Sequence, residues 1–228
     1  MSVRDNVAAV RKAIGRAAQA AGRDGADVKL VAVSKKIDTA KMLEAVEAGI
    51  RIFGENRIQE ARSKQDTVCW PDDIVWHLIG SLQRNKSKLA VTLFDMIQSV
   101  DSLEISKYLN RHAGNAGRTL PLLIQVNLAD EPSKSGFHPD AVVPAALEIS
   151  RMEHLRVKGL MAIPPYCDNP EDVRPYFRQL RHIKNTLNDS GLDLSELSMG
   201  MSSDFEIAIE EGATMVRVGT AIFGQRRK

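Results

Sequence analysis

The chain has 228 residues, 43% of them apolar and 26% charged, and 31 Lys+Arg set against 29 Asp+Glu leave a formal net charge of +2. Measured against a typical domain of roughly 150 residues, this length accommodates one large α/β domain, assigned to residues 1–228, whose core needs neither disulfides nor metal. Near-balanced charge excludes a dedicated nucleic-acid or membrane-surface binder, and Cys69 and Cys167, outside any CxxC pair, exclude a disulfide framework and a thiolate zinc site.

The first 25 residues carry charges throughout and so lack a secretory h-region. Val3, Val7, Val10 and Ile14 form one apolar stripe, which predicts a folded first helix rather than an Arg-rich presequence. No stretch approaches the roughly 18 uninterrupted apolar residues of a membrane span, and a cytoplasmic protein is expected. β-Branched runs at 28–34, 51–56, 74–80, 96–100, 120–127, 155–163, 196–200 and 214–220 predict strands. Segments of helical period lie between them at 39–50, 83–94, 102–114, 139–152, 171–191 and 204–212. Thr39 and Asp204 are candidate N-caps, and Gly49, Gly191 and Gly212 stand near helix ends. Eight strand–helix units with no leftover segment predict a single (β/α)8 TIM-type barrel behind an extra N-terminal helix. An open doubly wound sheet is the alternative, but no GxGxxG follows the first strand.

In such a barrel the chemistry gathers at the C-terminal ends of the strands. The first predicted strand ends at Ser34, Lys35 and Lys36. Side chains alternate along a strand, so Val31, Val33 and Lys35 share one face and Leu30, Ala32, Ser34 and Lys36 the other. One of two adjacent lysines therefore points into the mouth, where partial desolvation favours a neutral, nucleophilic amine. Taken alone, both lysines read as solvated loop residues. The seventh and eighth strands supply the company, as 198-SMGMSSD-204 and 217-RVGTAIFG-224 bring Ser202, Ser203, Gly219 and Thr220 to helix starts suited to a phosphate. Helix capping is the ordinary reading of each hydroxyl by itself. Arg217 shares a face with Met215 and Gly219 and projects inward, unless it pairs with a carboxylate such as Glu55. His77 is a ligand-contacting imidazole or, more ordinarily, a hydrogen-bonded core residue. Lys134 reads as solvated, and Met161, Met199 and Met201 read as core or pocket lining. Five scattered histidines without HxH or HExxH predict no metal site.

Seven ordered motifs, AVSK (32–35), FGENRIQE (53–60), WHLIGSLQRNK (76–86), VNLADEPSKSG (126–136), GLMAIPP (159–165), LSMGMSSD (197–204) and MVRVGTAIFG (215–224), span nearly the whole chain. On these residues the sequence resembles the YggS/PROSC family of pyridoxal 5′-phosphate homeostasis proteins, whose fold is similar to the barrel domain of alanine racemase. The resemblance implies that Lys35 holds pyridoxal 5′-phosphate as a Schiff base. It implies further that Ser202, Gly219 and Thr220 bind the phosphate, that Arg217 faces the pyridine nitrogen, and that Asn56, His77 and Met161 line the ring pocket. Arg57 stands where the family usually has Tyr, and Ser81 where Pro is common.

Facing an arginine, which keeps its proton, the pyridine nitrogen is expected to stay unprotonated and the electron sink to be weak. The chain ends four residues after Gly224, so the racemase's β-domain with its catalytic tyrosine is not expected. Tyr166 alone among the tyrosines lies near the active end, as a second base or a pocket wall. These points favour a monomeric carrier that hands the cofactor to apo-enzymes or free amino acids, with little or no catalysis. An amino-acid racemase or related enzyme is the competing class, and a Schiff-base aldolase acting on a sugar phosphate a further one. Lys134 and the basic tail 226–228 are candidates for assisting transfer.

Overall fold

β-Branched and long apolar side chains recur at the spacing that buries both faces of a parallel sheet, and the computed structural model, which describes residues 2–129, 131, 134–165 and 167–225, folds these runs into eight strands. They are β1 (Lys29–Val33), β2 (Ile52–Glu55), β3 (Val75–Leu78), β4 (Met96–Val100), β5 (Leu120–Val126), β6 (Leu155–Ala162), β7 (Glu196–Ser198) and β8 (Met215–Val218). All are parallel and pair in chain order, and β8 closes the barrel on β1 with Val31 opposite Arg217. The (β/α)8 expectation holds, and the open sheet is overturned by that closure.

Around the strands run α1 (Val3–Ala20), α2 (Thr39–Glu47), α3 (Ile58–Thr67), α4 (Ser87–Leu93), α5 (Leu103–Asn115), α6 (Pro139–Ser150), α7 (Arg174–Asp189), α8 (Phe205–Glu210) and α9 (Thr220–Phe223). The predicted apolar stripe of α1 is buried, and a capping box between Ser2 and Asp5 starts the helix. Asn6 Nδ2 donates to the Ile222 carbonyl at 2.8 Å, tying α1 to α9, and Arg23 Nη1, in the turn after α1, donates to the Ile209 carbonyl of α8 at 3.0 Å. None of the helices is long and apolar enough, over the described residues, to cross a membrane.

The helix that the alternation requires after β2 lies at 58–67, although its only buried apolar side chains are Ile58 and Ala61, too few to write a periodic signal. Two local readings are corrected. Asp38, not Thr39, caps α2, its carboxylate accepting from the Lys41 amide at 2.8 Å. Asp204 precedes α8 without capping it, because its carboxylate instead accepts from the Met201 amide at 2.6 Å. The glycines past α2, α7 and α8 adopt the expected left-handed conformation, as at Gly191 with φ 94°.

Two concentric layers of core follow from strand alternation. Val31, Leu123, Met161 and Met215 fill the barrel interior. Alternate residues such as Ala32, Phe53, Leu78 and Ile97 belong to the larger cluster between strands and helices. The backbones of β6 and β7 approach closely where they pair: a Cβ on Gly159 would stand 1.9 Å from the Glu196 carbonyl oxygen.

Candidate functional site

At the end of β1 the chain turns sharply. Lys36 adopts φ 60°, a left-handed conformation uncommon for a residue with a Cβ, and is exposed, whereas Lys35 is half-buried. Ser34 is buried on the outer face and its hydroxyl donates to Glu55 Oε1 at 2.7 Å. From α3 behind this turn, the Lys64 ammonium donates to the Ser34 carbonyl, Glu55 Oε1 and Glu60 Oε1, each at 2.7 Å. Glu60 Oε1 also accepts from the Lys36 amide. Burial pushes the Glu55 carboxyl up, with Lys64 opposing it. Burial also works to raise Glu60, but the Lys64 hydrogen bond and the Lys36 amide outweigh it and pull that group down. Glu55 is thus committed on the outer face of the barrel, and the possible pairing of Arg217 with Glu55 is overturned. Lys64 itself carried no signal in the sequence, because it lies in the helix that periodicity missed.

Arg217 does point inward and is only 3% exposed. Its Nη1 donates to Ser198 Oγ at 2.6 Å and its Nη2 to the Ala162 carbonyl at 2.8 Å. Ser198 Oγ in turn donates to Gln98 Oε1 at 2.6 Å, and Gln98 Nε2 meets His77 Nδ1 at 2.7 Å. A guanidinium has donors only, so Ser198 Oγ accepts from Arg217 while its own proton goes to Gln98 Oε1. The Gln98 amide nitrogen, which also donates to Met215 Sδ at 3.7 Å, faces the imidazole, and His77 Nδ1 accepts from it. The ring is therefore neutral with its proton on Nε2. Burial accounts for this, pushing the His77 pKa down to about 4, with the charge of Lys29 a lesser contributor. Burial also lowers Arg217, to about 10, against the pull of Asp204; it stays cationic at neutral pH. His77 is at once a hydrogen-bonded core residue and the far end of this chain. Gln98 and Ser198 escaped the sequence reading, since a lone polar residue in an apolar strand signals nothing until its partners are known.

The seventh and eighth strands end in facing turns. Gly200, at φ 92°, lets the chain leave β7 with its Cα against α8, where a Cβ would come within 2.6 Å of the Ala208 Cβ. Ser202 Oγ accepts from the backbone amides of Gly219 at 3.4 Å and Ala221 at 3.3 Å. These contacts are at the long end of the range, so two converging donors are only weakly engaged. Thr220 is the exposed first residue of α9. Asp204 is held above its ordinary range by burial, against the Met201 amide and the charge of Arg217.

Asn56 follows β2, and its Oδ1 is buried without a hydrogen-bond partner. Gly80 fixes that residue from behind: a Cβ there would lie 2.4 Å from the Asn56 carbonyl oxygen. Met161 is fully buried in the inner cluster, Met199 is core and Met201 is 38% exposed. Lys134 is ion-paired to Glu131 at 2.8 Å and partly exposed. Ser81 Oγ lies 3.1 Å from Ser135 Oγ, so the residue standing in place of Pro links the third loop to the loop after β5. Tyr166 and the tail 226–228 lie outside the described residues.

The model of the alanine racemase N-terminal domain matches residues 5–227. The pyridoxal phosphate homeostasis protein of Pseudomonas aeruginosa is 43% identical over 225 residues, covering 99% of this chain and 96% of that one. PipY of Synechococcus elongatus PCC7942, solved with PLP bound, superposes with a TM-score of 0.86 at 37% identity, over 98% of this chain and 100% of that one. Alanine racemase from Streptomyces coelicolor A3(2) shares the fold, with a TM-score of 0.77 at 20% identity over 98% of this chain and 58% of that chain.

Proposed function

This chain belongs to the alanine racemase N-terminal domain family and, within it, to the pyridoxal phosphate homeostasis proteins; on that premise we propose that it holds pyridoxal 5′-phosphate on Lys35 as a reversible store. The residues present fit the group. Asn56 Oδ1 is a buried acceptor still lacking a donor, and the amides of Gly219 and Ala221 are donors held only loosely by Ser202. When bound, the cofactor supplies an aldehyde that condenses reversibly with a primary amine, releasing water, and a ring that becomes a strong electron sink only when its nitrogen is protonated.

Lys35, half-buried at the end of β1, presents the amine. Ser202, Gly219 and Thr220 anchor the phosphate, while Asn56, His77 and Met161 surround the ring. Arg217 donates to the ring nitrogen. The observation that carries the reading is the buried Arg217, which is fixed by Ser198 and the Ala162 carbonyl and stays cationic at neutral pH. A donor that keeps its proton withholds the protonation on which carbanion chemistry depends. The site therefore favours keeping and releasing the cofactor over transforming amino acids. Residues 1–228 act as one cofactor-binding domain, in the cytoplasm and as a monomer, and release goes to an apo-enzyme or a free amino acid bearing a competing amine.

Purified protein incubated with pyridoxal phosphate is expected to turn yellow, and borohydride to leave a pyridoxyl label on Lys35. Lys35→Ala loses the label and Lys36→Ala keeps it; the reverse result would refute the assignment. Racemisation of L-alanine at enzyme-like turnover would replace the store with a racemase. Colourless protein that borohydride traps only with a sugar phosphate would point to an aldolase.

A further inference from the structure

We propose that Lys64, with Glu55 and Glu60, is a positioning cluster that fixes the left-handed turn at Lys36 and so decides which of the two adjacent lysines serves the site; this rests on the assignment of Lys35 above. An ammonium has three N–H donors, and Lys64 commits all three, to the Ser34 carbonyl, Glu55 and Glu60. Glu55 also holds the Ser34 hydroxyl, and Glu60 holds the Lys36 amide. Residue 34 is thus gripped at its side chain and its carbonyl, and residue 36 at its amide, with Lys35 between them.

Packing α3 on the barrel needs none of this. Two carboxylates and an ammonium withdrawn from water gain little net stability over apolar side chains of similar size. What the cluster does supply is geometry. A non-glycine residue at φ 60° persists only where its surroundings over-determine it. Without the clamp, an extended chain through 34–36 could slip by one residue, and a slip of one exchanges the two faces of a strand. Lys36 would then take the place of Lys35. The cluster holds the turn through the Ser34 hydroxyl, the Ser34 carbonyl and the Lys36 amide, so its role is to aim the amine and not to react.

The test uses full-length protein with the variants Glu60→Ala, Glu60→Gln and Lys64→Met. In the cofactor-free protein, amide exchange at Lys36 is expected to quicken about tenfold or more in Glu60→Ala, because local opening replaces a held N–H. Glu60→Gln keeps an acceptor oxygen in place and is expected to exchange close to wild type. After pyridoxal phosphate and borohydride, peptide mapping is expected to show labelling of Lys35 slowed by about tenfold in Glu60→Ala, the scale of a misplaced reactive group, with new label on Lys36. Lys64→Met should show the same pattern; should that variant not fold, Glu60→Ala, whose side chain reaches solvent, carries the test. Cooperative melting with wild-type exchange and wild-type labelling of Lys35 in Glu60→Ala would overturn the clamp. If wild type itself leaves Lys35 unlabelled, the cofactor assignment fails and the choice between lysines falls with it, and the exchange data separate that case from failure of the clamp.

Discussion

Mild acid should loosen this barrel from the inside, through His77. The imidazole titrates at 6.5 when solvated and at about 4 in the folded protein, because it is buried. Above pH 6.5 it is neutral in both states and contributes no pH dependence. Between 6.5 and 4 the unfolded chain binds a proton that the folded protein refuses, so stability falls as the pH falls, at about 1.4 kcal/mol per pH unit. The loss is about 2 kcal/mol at pH 5 and about 3 kcal/mol at pH 4. A proton on Nδ1 would face the donating Gln98 amide, forcing that amide to turn and abandon Ser198. Urea unfolding of wild type and His77→Asn, stepped from pH 7 to 5, isolates the effect, since the asparagine oxygen can accept from Gln98 but does not titrate. Glu55, Asp101 and Asp204, all raised by burial, push stability the other way as the pH drops, but they are common to both proteins and cancel in the difference. The gap between the two proteins should narrow by about 2 kcal/mol. A gap constant to within about 0.5 kcal/mol would refute an imidazole held neutral by burial.

Two further substitutions probe the interior. Gly159→Ala drives a methyl group into the Glu196 backbone of β7; a loss of about 3 kcal/mol or more is expected, a fall in Tm of roughly 6–12 °C by calorimetry. A Tm within a degree of wild type would mean the two strands can part. Arg217→Lys cannot reach both Ser198 and the Ala162 carbonyl with a planar fork; it should cost about 1–3 kcal/mol in stability and weaken pyridoxal phosphate binding about tenfold by spectral titration. Unchanged binding would remove Arg217 from the ring.

The barrel was legible because parallel strands buried on two faces write continuous β-branched runs, and each helix apart from α3 announced itself by period or punctuation. The phase of β1 was legible for the same reason: alternation puts Val31 inside and Ser34 outside, where both are found. The surroundings of the charged groups were not. Arg217 could be placed facing inward, but its partners come from strands 19 and 55 residues away in sequence, a separation that no local pattern encodes. Glu55 offered itself as the nearest carboxylate by motif, whereas its true partner, Lys64, lies one α-helix on, in a segment too polar to be noticed. Ser202 was found through its turn, yet the shared grip of its hydroxyl on two amides across the gap between β7 and β8 is a property of the closed ring alone.

That ring is closed by its first and last strands, and Val31 and Arg217 lie opposite each other across the joint. On the assignment proposed above, the amine follows β1 and the phosphate turns follow β7 and β8, so this joint is what gathers them at one end of the barrel. Cofactor capture would then report on ring closure, and a variant that parts β8 from β1 would be expected to lose it.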